Sequence, residues 1–160
     1  MNAAYFHIAL VHLPVVFMPL GLLLLVLGHL KHSLTLARTA LAILIFGSIV
    51  TVPVFLLGEP TEEIVEHIVG ISEDLIEAHE ETAEVGLWLA VATGIASLAA
   101  WWAIAVGAAL ERFLLILTTC FSFVASIALA YTAHQGGKIR HPEAFPASSA
   151  GASAVADAPH

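Results

Sequence analysis

The stretch from Ala3 to Leu27, AAYFHIALVHLPVVFMPLGLLLLVL, carries no Asp, Glu, Lys or Arg, yet it keeps His7, His12 and a proline, Pro14, near its start. A run of this length and polarity is enough to cross a ~30 Å hydrocarbon layer as a helix. Ring-polar groups inside such a span cost free energy, so they are expected to face something other than lipid. No basic segment precedes the run, and Lys31 follows it where a small-residue cleavage site would stand. It therefore reads as a retained first helix and not as a signal peptide.

Composition extends that reading to the whole chain. Of 160 residues, 59% are hydrophobic and only 11% charged, against roughly a quarter charged in ordinary globular domains. The single cysteine, Cys120, lies in an apolar run, which excludes a disulfide framework and any Cys-rich metal site. A net charge of −8 without a basic stripe excludes nucleic acid as a partner. Nine histidines against five Lys plus Arg are the unusual count, and they direct attention to metal or haem ligation.

Four apolar segments follow one another, at about Tyr5–Leu30, Thr39–Leu57, Val85–Leu110 and Phe113–Thr132. Each has roughly 20 to 26 residues, enough to span a bilayer as a helix. The expected fold is all-α: an integral membrane four-helix bundle over residues 1–142, followed by a disordered tail at 143–160. Lys31 and Arg38 flank the first loop, and Arg112 sits in the turn ALERF between spans three and four. Basic residues beside short loops favour the cytoplasm. Both termini and the second loop are then expected on the periplasmic side of a bacterial inner membrane, although Lys138 and Arg140 count against that orientation.

The second loop, GEPTEEIVEHIVGISEDLIEAHEETAE, holds ten of the thirteen acidic residues and no Lys or Arg. Pro60 suits the first turn of a short helix. Ser72 reads as an N-cap, so a helix starting near Glu73 should run directly into span three. Gly136, Gly137 and Pro142 are expected to end the fourth helix. Hairpin topology then brings six histidines from three regions to one face: His7, His12, His67, His79, His134 and His141. His7 and His12 are about 140° apart around a helix and cannot share one face. His79 and Gly86 do share one, and a glycine there makes room for a flat macrocycle.

At HIALVHLP and GGKIRHPE the chain resembles the membrane family catalogued as domain of unknown function 2231. His7, His12 and Pro14 match a first-span pattern of that family. His79 in EAHEE matches a histidine before its third span, and Gly136, Gly137, Arg140 and His141 match its closing motif. The resemblance covers roughly the first 145 residues through these short motifs; Leu13 departs from it, standing where phenylalanine is frequent. It implies a small four-helix membrane protein with a haem-binding, cytochrome-b-like role.

The residues support three functional classes. In the first, the protein is an electron-transfer protein holding haem b between His12 and His79, with His7, His134 and His141 serving a second site or contacting protons and propionates. The acidic loop would then meet a redox partner's basic face. No C-x-x-C-H occurs, which excludes covalent attachment. In the second, a Zn, Cu or Fe ion is bound by the same histidines with Glu62, Glu66 or Glu80. Neither Glu-x-x-His nor HExxH is present, since Ile64, Ile76 and Ala83 stand where the needed residues would be. In the third, the chain is an accessory subunit of a larger respiratory membrane complex or a homo-oligomer, packing through the small residues of GLWLAVATGIASLAAWWAIAVGAAL. No hydrolytic or transferase motif is visible, so any enzymatic role would be that of a redox subunit.

Overall fold

The computed structural model describes residues 3–65, 73–141, 144 and 145. In chain order the helices are α1 (Ala3–Leu10), α2 (His12–Leu30), α3 (Leu34–Leu56), α4 (Gly58–Val65), α5 (Glu73–Val106) and α6 (Glu111–Arg140). Among the described residues there is no strand. Four helical rods are long and apolar enough to cross a membrane: Ala3–Leu30, Leu34–Leu56, Glu73–Val106 and Glu111–Arg140.

Local chemistry sets the boundaries. Pro14 has no N–H to give the Leu10 carbonyl, and the first rod is interrupted three residues upstream, at Val11. The interruption is mild: Val11 keeps helical angles (φ −57°, ψ −28°), and its N–H still reaches the His7 carbonyl at 2.9 Å.

The first loop is shorter than the sequence implied, because α3 begins at Leu34 and not near Thr39. The Ser33 hydroxyl accepts from the Leu36 N–H at 3.3 Å and caps the helix, which places Arg38 on α3 itself. Substituting Ser33 by alanine should lower unfolding stability by about 1 kcal/mol, read as a fall in the melting midpoint of detergent-purified protein.

Span three ends at Val106, before the expected Leu110, where Gly107 adopts φ +65° and Ala108 N–H returns to the Ala103 carbonyl at 2.9 Å. That left-handed closing residue is the usual glycine stop. Span four corrects the sequence reading in the other direction. Gly136 and Gly137 lie inside α6, which runs on to Arg140. Their helix-breaking tendency, about 1 kcal/mol each, is overridden by packing described below. α4 covers the region where a short helix was expected at Pro60, and α5 starts at Glu73 as Ser72 implied.

The helices close into a ring. α2 packs on α3, α3 on α5, α5 on α6 and α6 on α2, while α1 packs on α4 and α3. Buried positions on α2 (Pro14, Met18, Gly21, Leu25, Gly28) alternate four and three apart, the spacing of knobs-into-holes packing. Glycines bring the backbones close. A Cβ on Gly28 would lie 3.0 Å from the Ala37 nitrogen, and one on Gly94 would lie 2.7 Å from the Ser48 Cβ.

Polarity runs inside out. The interior holds Ser48, Thr51, Thr93, Ser97, Thr118 and Ser122, whereas Leu23, Ile49, Trp88, Ile95, Trp102, Phe113, Phe123 and Ile127 are exposed. Water would penalise that arrangement and lipid would not, because hydrocarbon solvates apolar side chains while the buried hydroxyls donate to carbonyls. Ser48, for instance, donates to the Leu44 carbonyl at 2.8 Å and across to the Ala90 carbonyl of α5 at 2.7 Å.

Candidate functional site: an imidazole pair at the acidic end

α5 is longer than a bilayer requires. Its first twelve residues carry Glu73, Asp74, Glu77, Glu80, Glu81 and Glu84, and the apolar stretch begins only at Val85. His79 therefore stands on an acidic leg, about a turn and a half before the apolar stretch. The leg leans on the end of α6. His79 Nδ1 lies 3.0 Å from the Thr132 carbonyl. A carbonyl can only accept, so Nδ1 carries the proton and Nε2 keeps its lone pair.

The ring sits against Gly136, where an added Cβ would meet Cε1 at 3.0 Å and Nδ1 at 3.3 Å. That contact is why a glycine is accommodated inside α6. Thr132 answers in the opposite direction, its hydroxyl 2.9 Å from the Thr82 carbonyl. His79 and Thr132 thus clasp α5 to α6 at one level.

Burial, the main cause, pushes the His79 pKa below its usual 6.5. The bond to Thr132 pulls the other way, and nearby His7 adds a further downward push. The net effect keeps His79 neutral, the form that can donate a lone pair to a metal.

His7 on α1 has the same construction. Its Nδ1 lies 3.0 Å from the carbonyl of Val54, in the last turn of α3. The last four carbonyls of a helix lack intrahelical partners, so the His7 Nδ1–H caps one of them and leaves Nε2 uncommitted to that bond. His7 and His79 come from different helices, interact electrostatically, and each has Nδ1 committed to a neighbouring backbone.

The remaining candidates disperse. His12, expected to be the deep ligand, is exposed, with Nδ1 turned onto the Ile8 carbonyl of the preceding turn at 3.0 Å. The burial assigned to it from sequence is not found, because packing of α1 on α3 and α4 turns the His7 face inward. His134 is exposed between Tyr131 and Phe145, with ring centroids 6.5 and 5.1 Å away. His141 is exposed at the end of α6, its N–H on the Gly137 carbonyl at 2.8 Å. Glu62 is half-buried on α4 and Glu80 is exposed on α5. Glu66, His67 and the tail from 146 onward lie outside the described residues.

Among the described residues no three His, Cys, Asp or Glu side chains form a metal-holding group. The macrocycle space expected beside Gly86 is taken up by packing, since a Cβ there would meet Leu129 at 3.1 Å and the Thr132 hydroxyl at 3.6 Å.

Sequence reasoning missed Thr82, Thr132, the Val54 carbonyl and Gln135. The Gln135 amide nitrogen lies 3.3 Å from the Tyr131 hydroxyl, while its buried oxygen has no hydrogen-bond partner among the described residues. The only advance signal was the placement of polar residues just before the glycine pair. Comparisons with family models, curated proteins and solved structures return no match.

Proposed function

We propose that this chain is an integral membrane protein of the b-type haem class, acting in electron transfer, with His79 and His7 as the residues that would hold the haem. The observation that carries this reading is the shared state of the two rings. Both Nδ1 protons are given to backbone carbonyls of other helices, the outer-sphere bond that orients a ligating imidazole and raises its basicity. Haem needs only two protein ligands because the porphyrin supplies the in-plane nitrogens. A structural zinc ion takes about four protein ligands and a catalytic one three, and no such group forms among the described residues. The ligand chemistry therefore fits haem better than a bare ion, and Gln135 adds an unsatisfied buried acceptor one residue from the His79 contact at Gly136.

Bound haem would supply one-electron redox chemistry. The chain's own part is to orient the two imidazoles, exclude water with the surrounding helices, and present the carboxylates of the α5 leg to a basic partner surface. The basic loops favour a cytoplasmic location for the opposite end, which puts this end on the periplasmic side.

The test is a visible spectrum of detergent-purified protein. A reducible Soret band is expected, lost in His79→Ala and His7→Ala and retained in His12→Ala and His134→Ala. A colourless protein with stoichiometric zinc or copper would favour the ion reading. Neither haem nor metal would reduce the two histidines to helix clasps in an accessory subunit.

A further inference from the structure

We propose that the opposite end of the bundle holds a binding site for the phosphoethanolamine headgroup of a membrane phospholipid. A cleft of about 220 Å³ lies between the α2–α3 loop and the start of α6, lined chiefly by His29, His32, Leu34, Ala37, Glu111 and Arg112. It is smaller than the ~300 Å³ lower bound of ordinary small-molecule pockets, a size suited to a headgroup and not to a whole lipid.

The lining carries both signs of charge. Arg112 is exposed, Glu111 is half-buried, and neither has an ion-pair partner among the described residues. A guanidinium suits a phosphodiester and a carboxylate suits an ammonium. His29 is fixed for contact, because the Thr119 hydroxyl donates to Leu115 at 2.8 Å and so receives the His29 Nε2 proton at 3.3 Å.

His32 is the informative residue. It closes α2 in the left-handed region, at φ +47°, with its N–H on the His29 carbonyl and the Ser33 N–H on the Gly28 carbonyl. Gly107 does the corresponding job at the end of α5. A side chain in that conformation is strained, and the strain is explained if the imidazole is used. The surroundings agree. Lys31, Arg38 and Arg112 gather at this end of a chain whose net charge is −8, and Leu30, Leu34, Leu110 and Phe113 present exposed apolar surface beside it, where acyl chains would lie.

The site rests on the bilayer reading given above, and two measurements separate them. Flotation of the full chain with phosphatidylcholine vesicles tests the bilayer reading alone; a chain that does not float overturns that reading. Native mass spectrometry in neutral detergent, titrated with dioleoyl phosphatidylethanolamine, phosphatidylglycerol or phosphatidylcholine, tests the headgroup site.

Phosphatidylethanolamine should bind severalfold tighter than phosphatidylcholine, which has no N–H for Glu111. Arg112→Gln should weaken phosphatidylethanolamine binding about tenfold, the worth of one charge-assisted hydrogen bond. Glu111→Gln should erase the preference over phosphatidylcholine. His32→Gly should weaken binding while raising the melting midpoint, which separates loss of a contact from loss of the fold. Equal binding of all three lipids, an unaffected Arg112→Gln variant, or inorganic phosphate competing as well as the lipid would each overturn the proposal.

Discussion

Gly94→Leu should melt well below the wild type in detergent, whereas Gly58→Leu should be close to silent. At Gly94 even a Cβ would sit 2.7 Å from the Ser48 Cβ and 2.8 Å from its hydroxyl, while a Cβ on Gly58 would meet no non-neighbouring atom within 4 Å among the described residues. The α3–α5 crossing would have to open. That loses packing and the Ser48 bond to the Ala90 carbonyl. Overpacking costs about 1–3 kcal/mol, and an interhelical hydrogen bond within a membrane about 0.6 kcal/mol more. Because association inside a bilayer depends on close packing more than on hydrophobic burial, such a loss is a substantial share of the roughly 5–15 kcal/mol that holds a domain folded. Fluorescence-detected gel filtration across a temperature ramp reads both variants. A Gly94→Leu protein that melts with the wild type would show that the α3–α5 crossing contributes little to stability.

The second large effect concerns His79 and acid. Its folded pKa lies below 6.5 mainly because the ring is buried, so the unfolded chain binds this proton more readily than the folded one. Stability from this group is therefore fully present above about pH 6.5 and falls as pH drops from there through the folded pKa. Protonation would also set a charge against His7 and disturb the clasp to Thr132.

The informative quantity is the difference between wild type and His79→Gln. The wild type should lose more melting temperature between pH 7.5 and pH 5 than the variant, and at pH 7.5 the variant should be weaker by about 1–3 kcal/mol through the lost buried bond. Parallel pH profiles would remove His79 from this account.

Much of the scaffold could be read from residues alone, because its causes are local. Run length identified four helices long and apolar enough to span a membrane, Ser72 anticipated the start of α5, and Pro14 marked the flaw in the first rod. Where the reading failed, a non-local contact had outweighed a local tendency. Gly136 and Gly137 look like a helix stop, yet α6 continues through them because the His79 ring covers Gly136 and Phe145 lies against Gly137. Gly86 looked like room for a macrocycle and proved to be room for Leu129.

The histidines show the same division most clearly. Order along the chain was enough to place His7, His12 and His79 toward one end, and helical geometry was enough to say that His7 and His12 face different ways. Which of the two faces inward depends on how α1 lies against α3 and α4, a packing choice with no signature in a stretch where nearly every residue is apolar. Periodicity is legible when polar and apolar faces differ; in a helix that is hydrophobic all round, orientation is decided by backbone approach and by carbonyls such as those of Val54 and Thr132, which exist as partners only once the helices have assembled.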